Sequence, residues 1–239
     1  MHVDVSELRD FYATPLGQVV RRLLMPRIRR RWPVVRGETI VGLGYAAPYL
    51  GSLRHDASRV AALMPATQGA LVWPKEGGVL TALVEEDRLP LADTSVDKLL
   101  AVHCLEGAER VRPLLREMWR VLAPSGSVII VVPNRRGLWA RMDTTPFGQG
   151  RPYSRRQLAH LLEEAMLTPI DCTTALFLPP FDHRLVVRSA TAWERLGQGI
   201  TPGFAGVLIV EARKEMVALV GKRARTAAAT APAVLGSRI

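Results

Sequence analysis

Only two cysteines occur in the 239 residues, Cys104 and Cys172. They lie far apart and form no CxxC, so neither a disulfide framework nor a zinc knuckle is indicated, and a reducing compartment is expected. No apolar run approaches the length that spans a bilayer. The opening MHVDVSELRD has acids near its start and no apolar stretch of signal-peptide length, so we expect no export and a cytoplasmic protein. Acids are the scarce charge: 22 Asp+Glu face 32 Lys+Arg, a formal net charge of +10. That excess favours contact with phosphates, anionic lipid surfaces or acidic molecules, without choosing among them. No internal repeat is visible. What the chain does have is apolar residues, 48% of the total, enough for one sheet covered by helices to bury a sizeable core.

The first segment reads as a helix with Thr14 as N-cap and Pro15 as its first residue, carrying Leu16, Val19, Val20, Leu23 and Leu24 at helical spacing. Arg21 and Arg22 fall on the other face. Pro26 is expected to end or kink it, and a tract of Arg27, Arg29, Arg30, Arg31 and Trp32 leads to a breaker at Pro33. We read residues 1–36 as a basic amphipathic cap, 37–221 as an α/β domain, and the Ala-, Thr- and Arg-rich stretch 222–239 as a disordered tail. Within the domain, 39–41 reads as a strand, followed by Gly42-Leu43-Gly44-Tyr45-Ala46 and a helix opened by Pro48. A second helix is expected over 58–64, with strands over 70–73, 79–84 and 98–102. A helix then carries Val111, Leu114, Leu115, Met118 and Leu122 on one face, and Pro124-Ser125-Gly126 turns into an apolar strand over 128–132. Ser154 and Gln157 form a capping box for a helix burying Leu158, Leu161, Leu162 and Ala165. Strands over 175–178 and 207–210 complete the sheet. Strands alternating with helices imply parallel pairing.

A glycine loop after a first strand lets backbone approach a ligand closely. By itself GxG is equally well read as a tight turn. The stretch from Glu85-Glu86-Asp87-Arg88-Leu89-Pro90 to Asp97, then Arg120-Val121-Leu122-Ala123-Pro124-Ser125-Gly126 and the strand to Pro133-Asn134, adds much more. In this order these motifs resemble the class I S-adenosylmethionine-dependent methyltransferases, in the manner of their type 11-like members, over roughly residues 38–135. The resemblance implies a doubly wound, mostly parallel, seven-stranded Rossmann-like sheet with helices on both faces. It implies S-adenosylmethionine as cofactor, with Gly42, Leu43, Gly44, Tyr45 and Ala46 beside its methionine part. Glu85 would then meet the adenine amine, and Glu86 would offer its backbone N–H to the ring. His103 would lie at the pocket mouth beside the sulfonium, as a cofactor contact and the one candidate base; the plainer alternative is a partly exposed loop histidine. Two positions depart from the family pattern: Ile40 stands where an acid precedes the loop, and Ala46 where a third glycine is usual. No acid follows the expected second strand directly, which leaves Glu76 as the substitute for the ribose contact.

The cationic, aromatic segment 134–153 follows the carboxyl end of a strand, where open α/β sheets bind ligands. It reads as a substrate lid with Asn134, Trp139, Arg151 and Tyr153 facing the acceptor, or else as a solvated loop anchored by Trp139 and Phe147. No metal site is called for. The leading expectation is methyl transfer to a small or lipid-like acceptor. One alternative is a non-catalytic protein of this fold whose N-terminal arginines engage an acidic protein or an anionic membrane. Another is a nucleic-acid methyltransferase, against which stands the lack of an RNA-binding motif or an Asn-Pro-Pro-aromatic or Pro-Cys signature.

Overall fold

Alternate residues along the central strands feed two separate cores, one on each face of a single sheet. In the computed structural model, which describes residues 3–200 and 202–215, the strands are β1 Thr39–Gly44, β2 Arg59–Pro65, β3 Thr81–Val84, β4 Val96–Val102, β5 Leu122–Pro133, β6 Leu167–Ala175 and β7 Val207–Lys214. Their order is β3-β2-β1-β4-β5-β7-β6. All pairings are parallel except that β7 runs antiparallel to both β5 and β6. Ile40, Leu100, Val102, Ile129, Val131 and Ile209 point into one core. Their neighbours Val41, Leu99, Ala101, Val128, Ile130 and Val210 point into the other. This is the period-two consequence of a pleated backbone. Because both faces are covered, β4 and β5 are near-continuous apolar runs. The doubly wound, mostly parallel sheet expected from the resemblance is therefore present.

The first core is closed by α1 (Val5–Ala13), α2 (Pro15–Arg31) and the single turn α3 (Ala47–Leu50), the second by α4 (Val111–Val121) and α5 (Arg155–Glu164). Two further helices, α6 (Arg184–Arg188) and α7 (Ala190–Ile200), lie between β6 and β7. Thr14 joins α1 to α2 by itself. Its hydroxyl accepts from Gly17 N (3.0 Å) and donates to Phe11 O (2.7 Å), capping both helices. Leu16, Val19, Val20, Leu24 and Ile28 are buried, so the N-terminal stripe packs onto the sheet and shares its core.

Several local expectations are corrected. Pro26 does not end α2, which runs to Arg31: Pro26 is on the exposed face, where water can take the carbonyl its missing N–H leaves free. The helix expected over 58–64 is β2. Its Ala, Leu and Met suit a helix locally, but pairing with β1 in register (Val41 to Ala61, Leu43 to Leu63) buries them in both cores. The strand expected over 70–73 is irregular chain, its place in the sheet having been taken by β2. The strand expected over 79–84 begins at Thr81. Leu122 opens β5 and does not extend α4. Of the strand expected over 175–178 only Ala175 is strand, as the last residue of β6, whose polar run through Asp171 and Thr173 fits an edge strand and hides the apolar signal. The expected tail at 222–239 and the domain end at 221 lie outside the described residues.

Gly44 has φ +76, and a Cβ there would sit on the Val102 carbonyl oxygen. Gly44→Ala should lower stability by about 3 kcal/mol, combining left-handed strain with overpacking. Gly51→Ala, at a helical φ of −55 with open space around it, should change little. Urea denaturation of the two variants beside the parent checks this.

Candidate active site at the β1–β4 switch point

Strand order reverses between β1 and β4, and the crevice at their carboxyl ends is where ligands of open α/β sheets bind. The glycine loop lies here, but its close approaches are to the chain itself. Tyr45 N donates to Val102 O (2.8 Å). A Cβ on Gly42 would meet Leu50 Cδ1 at 2.6 Å. Leu43 and Ala46 are fully buried and Tyr45 nearly so. The four-residue α3 is too short to offer a helix-terminus charge of consequence.

His103 follows β4 with φ +49 and is 3% exposed. Its Nε2 lies 3.0 Å from the Tyr12 hydroxyl, which is 2.9 Å from the Tyr49 hydroxyl. On the other side Nδ1 is 3.3 Å from Glu106 Oε1, within ion-pair reach but outside hydrogen-bond geometry. A carboxylate there favours the tautomer with the proton on Nδ1, leaving Nε2 as acceptor toward Tyr12. The Phe147 ring tilts over the imidazole at 4.4 Å, and Gln68 Nε2 donates to His103 O at 2.9 Å. The cluster is under-satisfied: Gln68 Oε1, His103 Nδ1 and both Glu106 oxygens are buried with no hydrogen-bond partner. Such polar atoms mark a place where a ligand or water belongs.

Burial pushes the Tyr12 phenol well above its ordinary range, with Tyr49 and Glu106 adding to the shift, and it pushes Tyr49 up as well. Burial also raises the Cys104 thiol, helped by the charges of Glu86 and Glu106, so Cys104 is no nucleophile at neutral pH. Tyr153 is pushed up to about 12, first by burial and then by Glu106.

The remaining sequence candidates separate. Glu85 is exposed at a hollow of about 100 Å³ between residues 66–67, 85–87 and 109–110, and Glu86 borders the same hollow. Glu76 sits in a turn before β3 and does not follow β2. The placement of Glu76 depended on a strand over 70–73, whereas β2 ends at Pro65 and is followed by Ala66, Thr67 and Gln68. Asn134, Trp139 and Tyr153 spend their polar atoms inside the chain, on Ala205 O and Gly203 O, on Leu178 O and on Leu105 O. The segment 134–153 is thus a loop anchored by Trp139 and Phe147, each 1% exposed. Of the four acceptor-side candidates, Arg151 alone is exposed; its backbone N–H donates to Glu106 O at 2.7 Å. Sequence reading missed Tyr12, Gln68 and Glu106. Tyr12 lies 91 residues from His103, and no local pattern couples them.

Residues 40–130 match the family model of a methyltransferase domain. The fold is that of the class I S-adenosylmethionine-dependent methyltransferases. A solved S-adenosylmethionine-dependent methyltransferase of Thermotoga maritima, described as a possible histamine N-methyltransferase, is similar at 16% identity and a TM-score of 0.65, covering 88% of this chain and 96% of its own. A putative methyltransferase of Haloferax volcanii, solved with a methyltransferase activator, is 18% identical with a TM-score of 0.61, over 88% and 97%. The 1,6-didemethyltoxoflavin-N1-methyltransferase of Burkholderia thailandensis, solved with that compound and S-adenosylhomocysteine, is 18% identical with a TM-score of 0.53, over 89% and 85%. No curated protein sequence matches the chain.

Among the described residues, four acids, Glu85, Glu86, Asp87 and Glu109, and one base, Arg110, line the hollow at Glu85. Elsewhere in the crevice the Tyr12 ring packs on Tyr45 and on His103, and Phe147 packs on His103. Sites for small-molecule ligands and cofactors usually enclose about 300 Å³ or more, well above the roughly 100 Å³ of the hollow at Glu85. Tyr12→Phe removes the hydroxyl between Tyr49 and His103 and should cost about 1–3 kcal/mol by stranding two buried polar groups. Tyr45→Phe, whose hydroxyl makes no hydrogen bond among the described residues, should cost far less, as thermal melts of the two variants would show.

Proposed function

We propose that the protein transfers a methyl group from S-adenosylmethionine to a small or lipid-like acceptor at the β1–β4 crevice. The observation that carries this reading is the His103–Glu106 pair: a buried histidine backed by a carboxylate, beside unsatisfied polar atoms, at the switch point of a methyltransferase fold. When bound, the cofactor supplies an electrophilic methyl on a sulfonium, so the chain has chiefly to align an acceptor and take a proton. Glu85 and the Glu86 backbone hold the adenine end, and the backbone of residues 42–46 lines the methionine end. His103 Nε2 is the base, with Glu106 keeping the ring's tautomer. Arg151, on the exposed side of Glu106, is the acceptor-side residue. Similar folds take chemically different acceptors: one relative is solved with 1,6-didemethyltoxoflavin, and the geranyl diphosphate C-methyltransferase of Streptomyces coelicolor with geranyl diphosphate.

A second reading has its own support. Ile40 is buried and apolar where the family pattern has an acid, and α1 occupies the crevice. A protein of this fold that binds partners without turnover would tolerate both features. No helix among the described residues is long and apolar enough to cross a membrane.

Calorimetric titration with S-adenosylhomocysteine separates the readings. Binding is expected for the parent, and tighter binding for Phe11→Ala/Tyr12→Ala, which loosens α1 from the crevice. Glu85→Ala should weaken binding by about 1–3 kcal/mol, the scale of a lost hydrogen bond to a partially buried partner. No heat at millimolar ligand from either the parent or the α1 variant overturns the enzyme reading in favour of the binding protein.

A further inference from the structure

A second hollow lies on the opposite side of β5 and shares none of the crevice's ring or His-Glu residues. It encloses about 1350 Å³ between the end of α2, the outer strands β6 and β7, and the start of α5. Six arginines line it: Arg27, Arg30, Arg31, Arg136, Arg155 and Arg156. Among the described residues only two carboxylates do, and both are engaged. Asp171 pairs with Arg31, and Glu211 is buried and accepts from Trp32 Nε1 at 3.3 Å.

Part of this charge has a structural use. Arg27 bonds Glu194 at 2.6 Å, and Arg31 bonds Thr173 Oγ1 at 2.7 Å as well as Asp171. Arginines in the last turn of α2 also sit favourably at the negative end of that helix. Arg31 is held inside the wall with its side chain 6% exposed, and its Nε has no hydrogen-bond partner.

Of the others, Arg155 donates to Cys172 O at 3.2 Å, while Arg30, Arg136 and Arg156 have no side-chain partner of this kind among the described residues. Arg155 and Arg156 are the first two residues of α5, the positive end of a helix, where cations are unfavourable. Arg136 faces them from the loop after β5, and Arg30 from α2. Arg30, Arg136 and Arg156 make no ion pair among the described residues. Like charges gathered in one concave site repel unless an anion joins them.

We propose that this groove binds a ligand carrying two or more phosphate groups. Every lining cation among the described residues is an arginine, whose planar fork matches phosphate oxygens. The hydroxyls of Ser154, Thr173 and Thr174 add donors of the kind phosphates accept. The volume exceeds the usual range for a single small ligand and suits an elongated polyanion. No aromatic ring among the described residues lines the groove, so stacking of single-stranded bases finds no platform there. Its concave form fits a discrete anion better than the plane of a bilayer. The ligand could be a free di- or triphosphate compound or a phosphorylated lipid headgroup. The site does not depend on methyl transfer.

Titration of the full chain with inorganic tripolyphosphate tests this. Saturable, salt-sensitive binding is expected. Arg30→Ser/Arg136→Ser/Arg156→Ser should weaken it at least about tenfold, since each lost charge-assisted contact accounts for several-fold. The three positions carry no ion pair, so the variant should melt with the parent, and the matching lysine variant should bind between the two. Cys172 lines the groove and reports occupancy: tripolyphosphate should slow its alkylation by N-ethylmaleimide in the parent and not in the serine variant. Vesicles distinguish the sources: attachment to phosphatidylinositol-bisphosphate vesicles and not to phosphatidylserine vesicles assigns a lipid headgroup, whereas binding of tripolyphosphate alone assigns a free compound. Absence of saturable binding, binding unchanged in the serine variant, equal attachment to all anionic vesicles, or a clear preference for a single-stranded oligonucleotide overturns the proposal.

Discussion

At the end of β1 the chain must turn over the neighbouring strand with no room for a side chain. Gly44, at φ +76, lets the loop close onto β4 so that Tyr45 N reaches Val102 O. That contact joins the two strands at the point where sheet order reverses. It also sets the course of the chain after β4, where His103 takes φ +49 and projects into the crevice. The glycine loop therefore serves the fold first. Whatever the crevice binds is positioned by two backbones that bond each other directly.

Around this junction the packing is aromatic and only partly satisfied. Tyr12 reaches in from α1 and meets Tyr49, Tyr45 and His103, while Phe147 comes from the loop after β5. Apolar ring surface holds α1 down, and buried atoms of Gln68, His103 and Glu106 without partners oppose it. An arrangement that is well packed and under-bonded at once is suited to opening, because a ligand can supply the hydrogen bonds that α1 does not.

The arginines illustrate how one composition divides between structure and binding. Arg27 and Arg31 are consumed by Glu194 and Asp171, and Arg29 by Asp56 and Ser52 O. The tract after Pro26 thus belongs largely to the architecture of α2 against its neighbours. The unbalanced charge arises only where that helix meets Arg136, Arg155 and Arg156, brought from over a hundred residues away.

Local chemistry made part of this legible in sequence. The Thr14-Pro15 start of α2, the Ser154 cap of α5, the apolar face of α4 and the continuous runs of β4 and β5 follow from capping, helical period and burial on both sheet faces. Each of those rules acts within a few residues. The motif order from Glu85 to Gly126 was equally readable and pointed to the methyltransferase fold. Tertiary structure decided the rest. Residues 59–65 became a strand because β1 offered a register that buries them, against their local helical preference. Glu76 lost its place because the strand before it does not exist, and Trp139 and Tyr153 turned inward because Leu178 O and Leu105 O were there to accept from them. The pairing of His103 with Tyr12 and Glu106, and the gathering of arginines from three segments, depend on contacts between distant residues. Such contacts are set by how layers pack, which no pattern confined to one segment encodes.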